Sequence, residues 1–225
     1  MNRSYLAKLA VQSTDMKELS RKTAIHEAGH AAAIYFANKQ KALPPVCFQI
    51  IVSNFGQRLQ TPIQSGLWFA KIEGGRLIHT LPSSVAEATR GFSSVQKHAY
   101  IKAFEADMMN LLVGPLAEAN YIALRDDEIF NSRLVNMNAL HHYGGSADLK
   151  LVEEYLGCLS VDQETCGQKM AEIFAAAFEF INDRDNWRAI LGLANYILAN
   201  GQQVIACEEI ISVLDARRDV RRKAA

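Results

Sequence analysis

The sequence predicts a mainly helical α+β fold carrying one small β-sheet, and three observations predict it. Apolar residues recur at helical spacing over most of the 225 positions. Runs of strand length, rich in β-branched and aromatic residues, are confined to one stretch between residues 46 and 81. An H-E-x-x-H string, His26-Glu27-Ala28-Gly29-His30, is embedded in an apolar, helix-forming run.

Taken from the N-terminus, the first helix is expected over 16–37, where good or tolerable helix formers run without a proline. Gly29 inside it costs about 1 kcal/mol against alanine, so its presence points to a close packing partner. Strands are expected over 46–53, 67–72 and 77–81, with Glu73-Gly74-Gly75-Arg76 as a tight hairpin turn because glycine tolerates positive φ. Helices follow over 94–113 and 115–124, broken at Gly114-Pro115 because an interior proline removes a donor and clashes with the preceding turn. Further helices are expected over 147–158, 163–181, 187–198 and 208–218.

With 49% hydrophobic residues the chain can bury a substantial core, so residues 1–225 read as a single domain. Within it lie an N-terminal helix or arm (1–20), a metal-binding core (21–160) and C-terminal helices (161–225). Lysine plus arginine and aspartate plus glutamate balance at 24 each, which gives no global field to attract nucleic acid. No apolar run approaches about 18 residues, so no membrane insertion is expected. The cysteines form no C-x-x-C, and Met1 is followed by no signal-peptide pattern; free thiols in the cytoplasm are the expectation. The basic block 217–223 reads as a solvated helix end, with a docking tail for a partner as the alternative.

The chemistry lies in the H-E-x-x-H string. Residues four apart on an α-helix sit about 40° from one another around the axis, so His26 and His30 can converge on one metal ion. Glu27 is then placed to act as general base on a metal-bound water, the division of labour in zinc hydrolases. A catalytic zinc takes a third protein ligand. The metzincin pattern is excluded, because Ala33 and Phe36 stand where its glycine and third histidine belong. Among later acidic and histidine residues Asp148 is best placed, delivered by a glycine-containing turn at the start of a helix, although an aspartate there also serves as a cap. His141 and His142 read as solvated loop residues, Trp68 and Trp187 as packing residues, and His79 and His98 belong to no constellation.

The string Thr23-Ala24-Ile25-His26-Glu27-Ala28-Gly29-His30-Ala31 resembles the metal-binding helix in the peptidase domain of the FtsH family of zinc proteases. Residues 111–119, LLVGPLAEA, are similar to that family's L-L-G-G-R-A-A-E-E helix, and 144–149, GGSADL, to its G-A-S-N-D-L segment. The order is the family's, the spacing is longer, and the tail over 189–215 resembles its closing helical pair. The resemblance implies an FtsH-peptidase-like helical domain in which Asp148 is the third ligand of one Zn²⁺ per chain. Glu118, on the middle motif, is then placed to accept a hydrogen bond from a ligand imidazole, or to be an ordinary helix carboxylate.

Departures accompany the matches. No G-x-x-x-x-G-K-[ST] motif of an ATPase occurs, Ala147 stands for the family's asparagine, Tyr143 for its threonine and Pro115 for its arginine. The expectation is a soluble, free-standing zinc metalloendopeptidase that cleaves unstructured polypeptides, or proteins presented by a separate ATPase or unfoldase. A catalytically silent interaction module and a metal-dependent hydrolase of non-protein substrates are the alternatives. Glu27 speaks against the former, since a purely structural zinc site has no use for a general base.

Overall fold

Small residues on the first helix set the architecture. In the computed structural model, which describes residues 3–54, 68–159 and 162–218, helix α1 (Arg3–Ala32) crosses a second long helix, α4 (Ser94–Arg125), at Gly29. A Cβ on Gly29 would lie 2.8 Å from Ala117 Cβ and 2.9 Å from the Val113 carbonyl oxygen, so only glycine allows this approach. The close partner expected from Gly29 is therefore α4. Ala24, Ala28, Ala31 and Ala32 are buried beside the crossing.

Helix α1 runs on through one π-helical turn, Ala33–Ala37, and a short α2 (Asn38–Gln40). Strand β1 (Phe48–Asn54) then pairs antiparallel with β2 (Trp68–Gly74), Ile50 opposite Ile72. After the four-residue α3 (Val85–Ala88) comes α4, started by a capping box in which Ser93 and Gln96 satisfy each other's backbone N–H groups. A 3₁₀ turn, Met137–His142, leads to α5 (Ser146–Leu159). Asp162 caps α6 (Gln163–Asn182) and Asp183 caps α7 (Arg184–Ala199), each accepting from two backbone N–H groups of the first turn. Strand β3 (Val204–Ile205) adds to the far side of β1, giving the order β2-β1-β3, and α8 (Cys207–Arg218) closes the described chain.

The fold is thus mainly helical with a small three-stranded antiparallel sheet. Its core joins α1, α4, α5 and α7 through fully buried Ile25, Phe104, Met108, Leu112, Leu116, Tyr155, Ile190 and Leu193. Each such side chain contributes about 1.5–3 kcal/mol by leaving water. Among the described residues no helix is long and apolar enough to cross a membrane. All four cysteines are free thiols.

Three expectations need correction. Residues 77–81 form no strand and 73–76 no hairpin turn: the N–H groups of Leu77 and Ile78 donate instead to the Asp107 carboxylate on α4, at 2.9 and 2.8 Å, so they are unavailable to a ladder. The third strand comes from Val204–Ile205, whose two residues are too few to show an alternating pattern. Pro115 does not end a helix, because α4 continues through it. One missing N–H is tolerated there because α4 is buried on both sides of the proline, from Leu112 to Ala117. Leu67, the first residue of an expected strand, and residues 219–223 of the basic block lie outside the described residues.

Candidate metal site

His26 and His30 lie one turn apart on α1, and the close crossing with α4 leaves both almost fully buried, at 7% and 5% exposure. The same crossing fixes their rings. His30 Nδ1–H donates to the backbone carbonyl of Asn110 at 2.8 Å, and the ring abuts Gly114, where a Cβ would come within 2.3 Å of Nε2. A carbonyl only accepts, so Nδ1 carries the proton, and in the neutral ring Nε2 presents a bare lone pair.

That lone pair faces α5. Asp148 stands in the first turn of α5, and its two carboxylate oxygens meet His30 Nε2 at 3.4 Å and His26 Nε2 at 3.1 Å. The candidate ligand atoms of His26, His30 and Asp148 lie within 4.8 Å of one another. On its other side His26 Nδ1 lies 3.4 Å from Glu118 Oε2, an ion-pair distance without hydrogen-bond geometry. Gly144, with φ +72°, closes over this pair, and a Cβ there would sit 2.9 Å from Glu118 Oε2. Burial opposes a charge on His26, yet the carboxylates of Asp148, Glu118 and Glu27 outweigh it and push the imidazole up to about 10. Burial likewise works against ionised Asp148, and the two imidazoles hold its carboxyl well below the usual carboxylate range.

This donor set fits a metal cation. A lone pair on His30 Nε2 aimed at a carboxylate oxygen is repulsive unless a proton or a metal stands between them, and a group of two imidazoles and a carboxylate suits zinc and related divalent metals. Helix α1 and the turn before α5 supply the atoms; Asn110 and Glu118 on α4 hold the outer nitrogens of the two rings.

Glu27, between the two histidines in sequence, points along a different line. Its Oε2 accepts a hydrogen bond from the Ile72 backbone N–H of β2 at 2.7 Å. Among the described residues strand β2 is the edge of the sheet, with β1 on its other side, so this N–H belongs to the edge that no described strand pairs. Glu27, His26, His30 and Asp148 share the wall of a cavity of about 600 Å³ with the β2 residues Lys71 and Ile72 and with Arg76 and His79 beyond that strand.

Every site residue singled out in the sequence is therefore in one place: Glu27, His26, His30, Asp148 and Glu118. His141 and His142 lie outside it and are exposed, with His141 Nδ1 3.4 Å from Ser146 Oγ. His79, assigned to no constellation, is in the cavity wall. The Asn110 carbonyl and the Ile72 N–H were not legible, since main-chain groups leave no mark in a sequence; Gly114, beside a proline in a helical pattern, was a usable signal. No family model, no curated protein and no solved structure matches the chain.

Proposed function

We propose that the chain is a zinc-dependent metallopeptidase with one Zn²⁺ held by His26, His30 and Asp148. The observation that carries the reading is the convergence of these three side chains, from helices far apart in sequence, beside the Glu27 carboxylate in an open cavity. The FtsH-like motifs point the same way. When bound, zinc supplies a Lewis acid that polarises a carbonyl and lowers the pKa of a water ligand to about 7. Glu27 would serve as general base towards an attacking water and would return the proton to the departing amine. Glu118 and the Asn110 carbonyl keep the two rings oriented. The outer edge of β2 suits an extended peptide, because its outward N–H and C=O groups, apart from the Ile72 N–H that Glu27 holds, can take a substrate main chain as an added strand. Such a site takes unstructured polypeptides, or chains delivered unfolded by a partner.

The test compares wild type with Glu27→Gln on casein and on a peptide library, with zinc measured in both proteins. Equal zinc and a rate lower by about 10²–10⁴-fold in the variant support the reading. Equal zinc with no cleavage by the wild type above the variant background overturns it and leaves a metal-holding interaction module.

A further inference from the structure

The cavity beside the metal set has a second wall, on which Lys71 and Arg76 stand. Gly74 (φ +82°) and Gly75 (φ +81°) end β2 in left-handed conformations, and a Cβ on Gly75 would come within 2.5 Å of Ile34 Cδ1, so the chain lies flat against the π turn that follows the metal helix. Arg76 comes next. Immediately after it, Asp107 grips the Leu77 and Ile78 N–H groups and is itself held by the Tyr155 hydroxyl at 3.0 Å. The backbone of Arg76 is thus fixed on both sides, while its side chain is exposed on the cavity wall with those of Lys71 and His79.

The acids nearby are already engaged. Glu27 accepts from Ile72, Glu73 from Gln49 Nε2 at 3.3 Å, and Asp107 from three donors. Arg76 acts on Asp107 and Tyr155 through space, and among the described residues Arg76, Lys71 and His79 form no ion pair. A guanidinium on a fixed backbone, without an ion-pair partner of its own, matches a carboxylate with two parallel hydrogen bonds.

We infer that Arg76, flanked by Lys71 and His79, is an anion subsite that binds a carboxylate of the peptide beside the scissile bond. The inference rests on the peptidase reading and narrows its substrates. The carboxylate has two sources, an internal Asp or Glu side chain or the free C-terminus of the peptide.

Four peptides of one sequence separate them: internal Glu or Gln, each with a free-acid or an amide C-terminus. Their affinities are measured by fluorescence anisotropy with zinc-loaded Glu27→Gln protein, alone and combined with Arg76→Gln or Arg76→Lys, and their cleavage with the matching proteins that keep Glu27. The carboxylate-bearing member of one pair is expected to bind about tenfold or more tightly, the worth of a charge-assisted pair, with the preference in KM rather than kcat. The ratio should approach unity in Arg76→Gln, recover in part in Arg76→Lys and shrink with added salt, and the pair that responds names the source. Equal binding of all four peptides, or a preference that survives Arg76→Gln, overturns the inference. Cleavage of the neutral peptide in that case leaves the peptidase reading standing; absence of cleavage of every peptide defeats that reading while the binding data still decide the subsite.

Discussion

The Glu27 carboxylate accepts the Ile72 backbone N–H at 2.7 Å, so the residue placed as general base is tied to the outer edge of β2 rather than to its own helix. The bond sets the distance between the metal helix and the strand edge on which a substrate would lie. Because Ile72 faces away from β1, Glu27 is its acceptor, and Glu27→Ala should speed exchange of the Ile72 amide by about tenfold or more. Glu27→Gln retains an acceptor oxygen and should protect it. Amide exchange by NMR reads both; equal rates in wild type and Glu27→Ala would show that the contact does not form in solution.

Metal retention should rank the histidines and carboxylates as the geometry does. Removing a group that only orients a ligand typically costs about 10–100-fold in affinity, the range expected for Glu118→Gln. Asp148→Ala and His30→Ala should exceed that range, while His141→Ala and His142→Ala change little. Zinc competition against a graded series of chelators gives the order, and a larger loss at His141 than at Asp148 would displace Asp148 from the ligand set.

Glycines at different places should respond with opposite signs. Gly114→Ala puts a Cβ 2.3 Å from His30 Nε2, so it should cost about 1–3 kcal/mol of stability and release the metal. Gly157 on α5 has nothing within 4 Å of its Cβ position, and Gly157→Ala should stabilise by up to about 1 kcal/mol. Urea unfolding of the two variants against wild type checks both signs.

Tyr155 gives a pH signature. Burial and the neighbouring Asp107 carboxylate raise its phenol well above the ordinary value of about 10. A folded-state value above the unfolded one means stability that is complete below about pH 10 and is lost as pH climbs beyond it. Tyr155→Phe removes the hydrogen bond to Asp107 and should cost about 1–2 kcal/mol near pH 7. The gap to wild type should narrow above about pH 10, as the wild type surrenders what the variant never had. A gap of constant size from pH 7 to 11, followed by denaturant titration, would assign the loss to packing alone.

Local pattern made most of the helices readable, since periodic burial marks α4 to α8 with little help from distant residues. The i, i+4 histidines were readable for the same reason. What escaped was decided by groups far apart in sequence. The strand expected at 77–81 failed because Asp107, 29 residues from Ile78, takes its N–H. The break expected at Pro115 failed because burial against α1 outweighs one lost hydrogen bond. Asp148 stood out through its glycine turn and the family resemblance, whereas its distance from His30 depends on how closely two glycine-lined helices cross.

His26 and Asp148 are 122 positions apart. On the ribosome the first two histidines therefore emerge long before the third member of the set, by roughly 6–24 seconds at about 5–20 residues per second. Through that interval a nascent chain carries a metal-attracting helix with an incomplete grip. The three-residue set is complete only when α5 docks, after α4 has been made to hold the rings. On the proposed peptidase reading, a chain that finishes its site this late would spare its own unfolded N-terminal half and neighbouring nascent chains during the period when all of them are most easily cut.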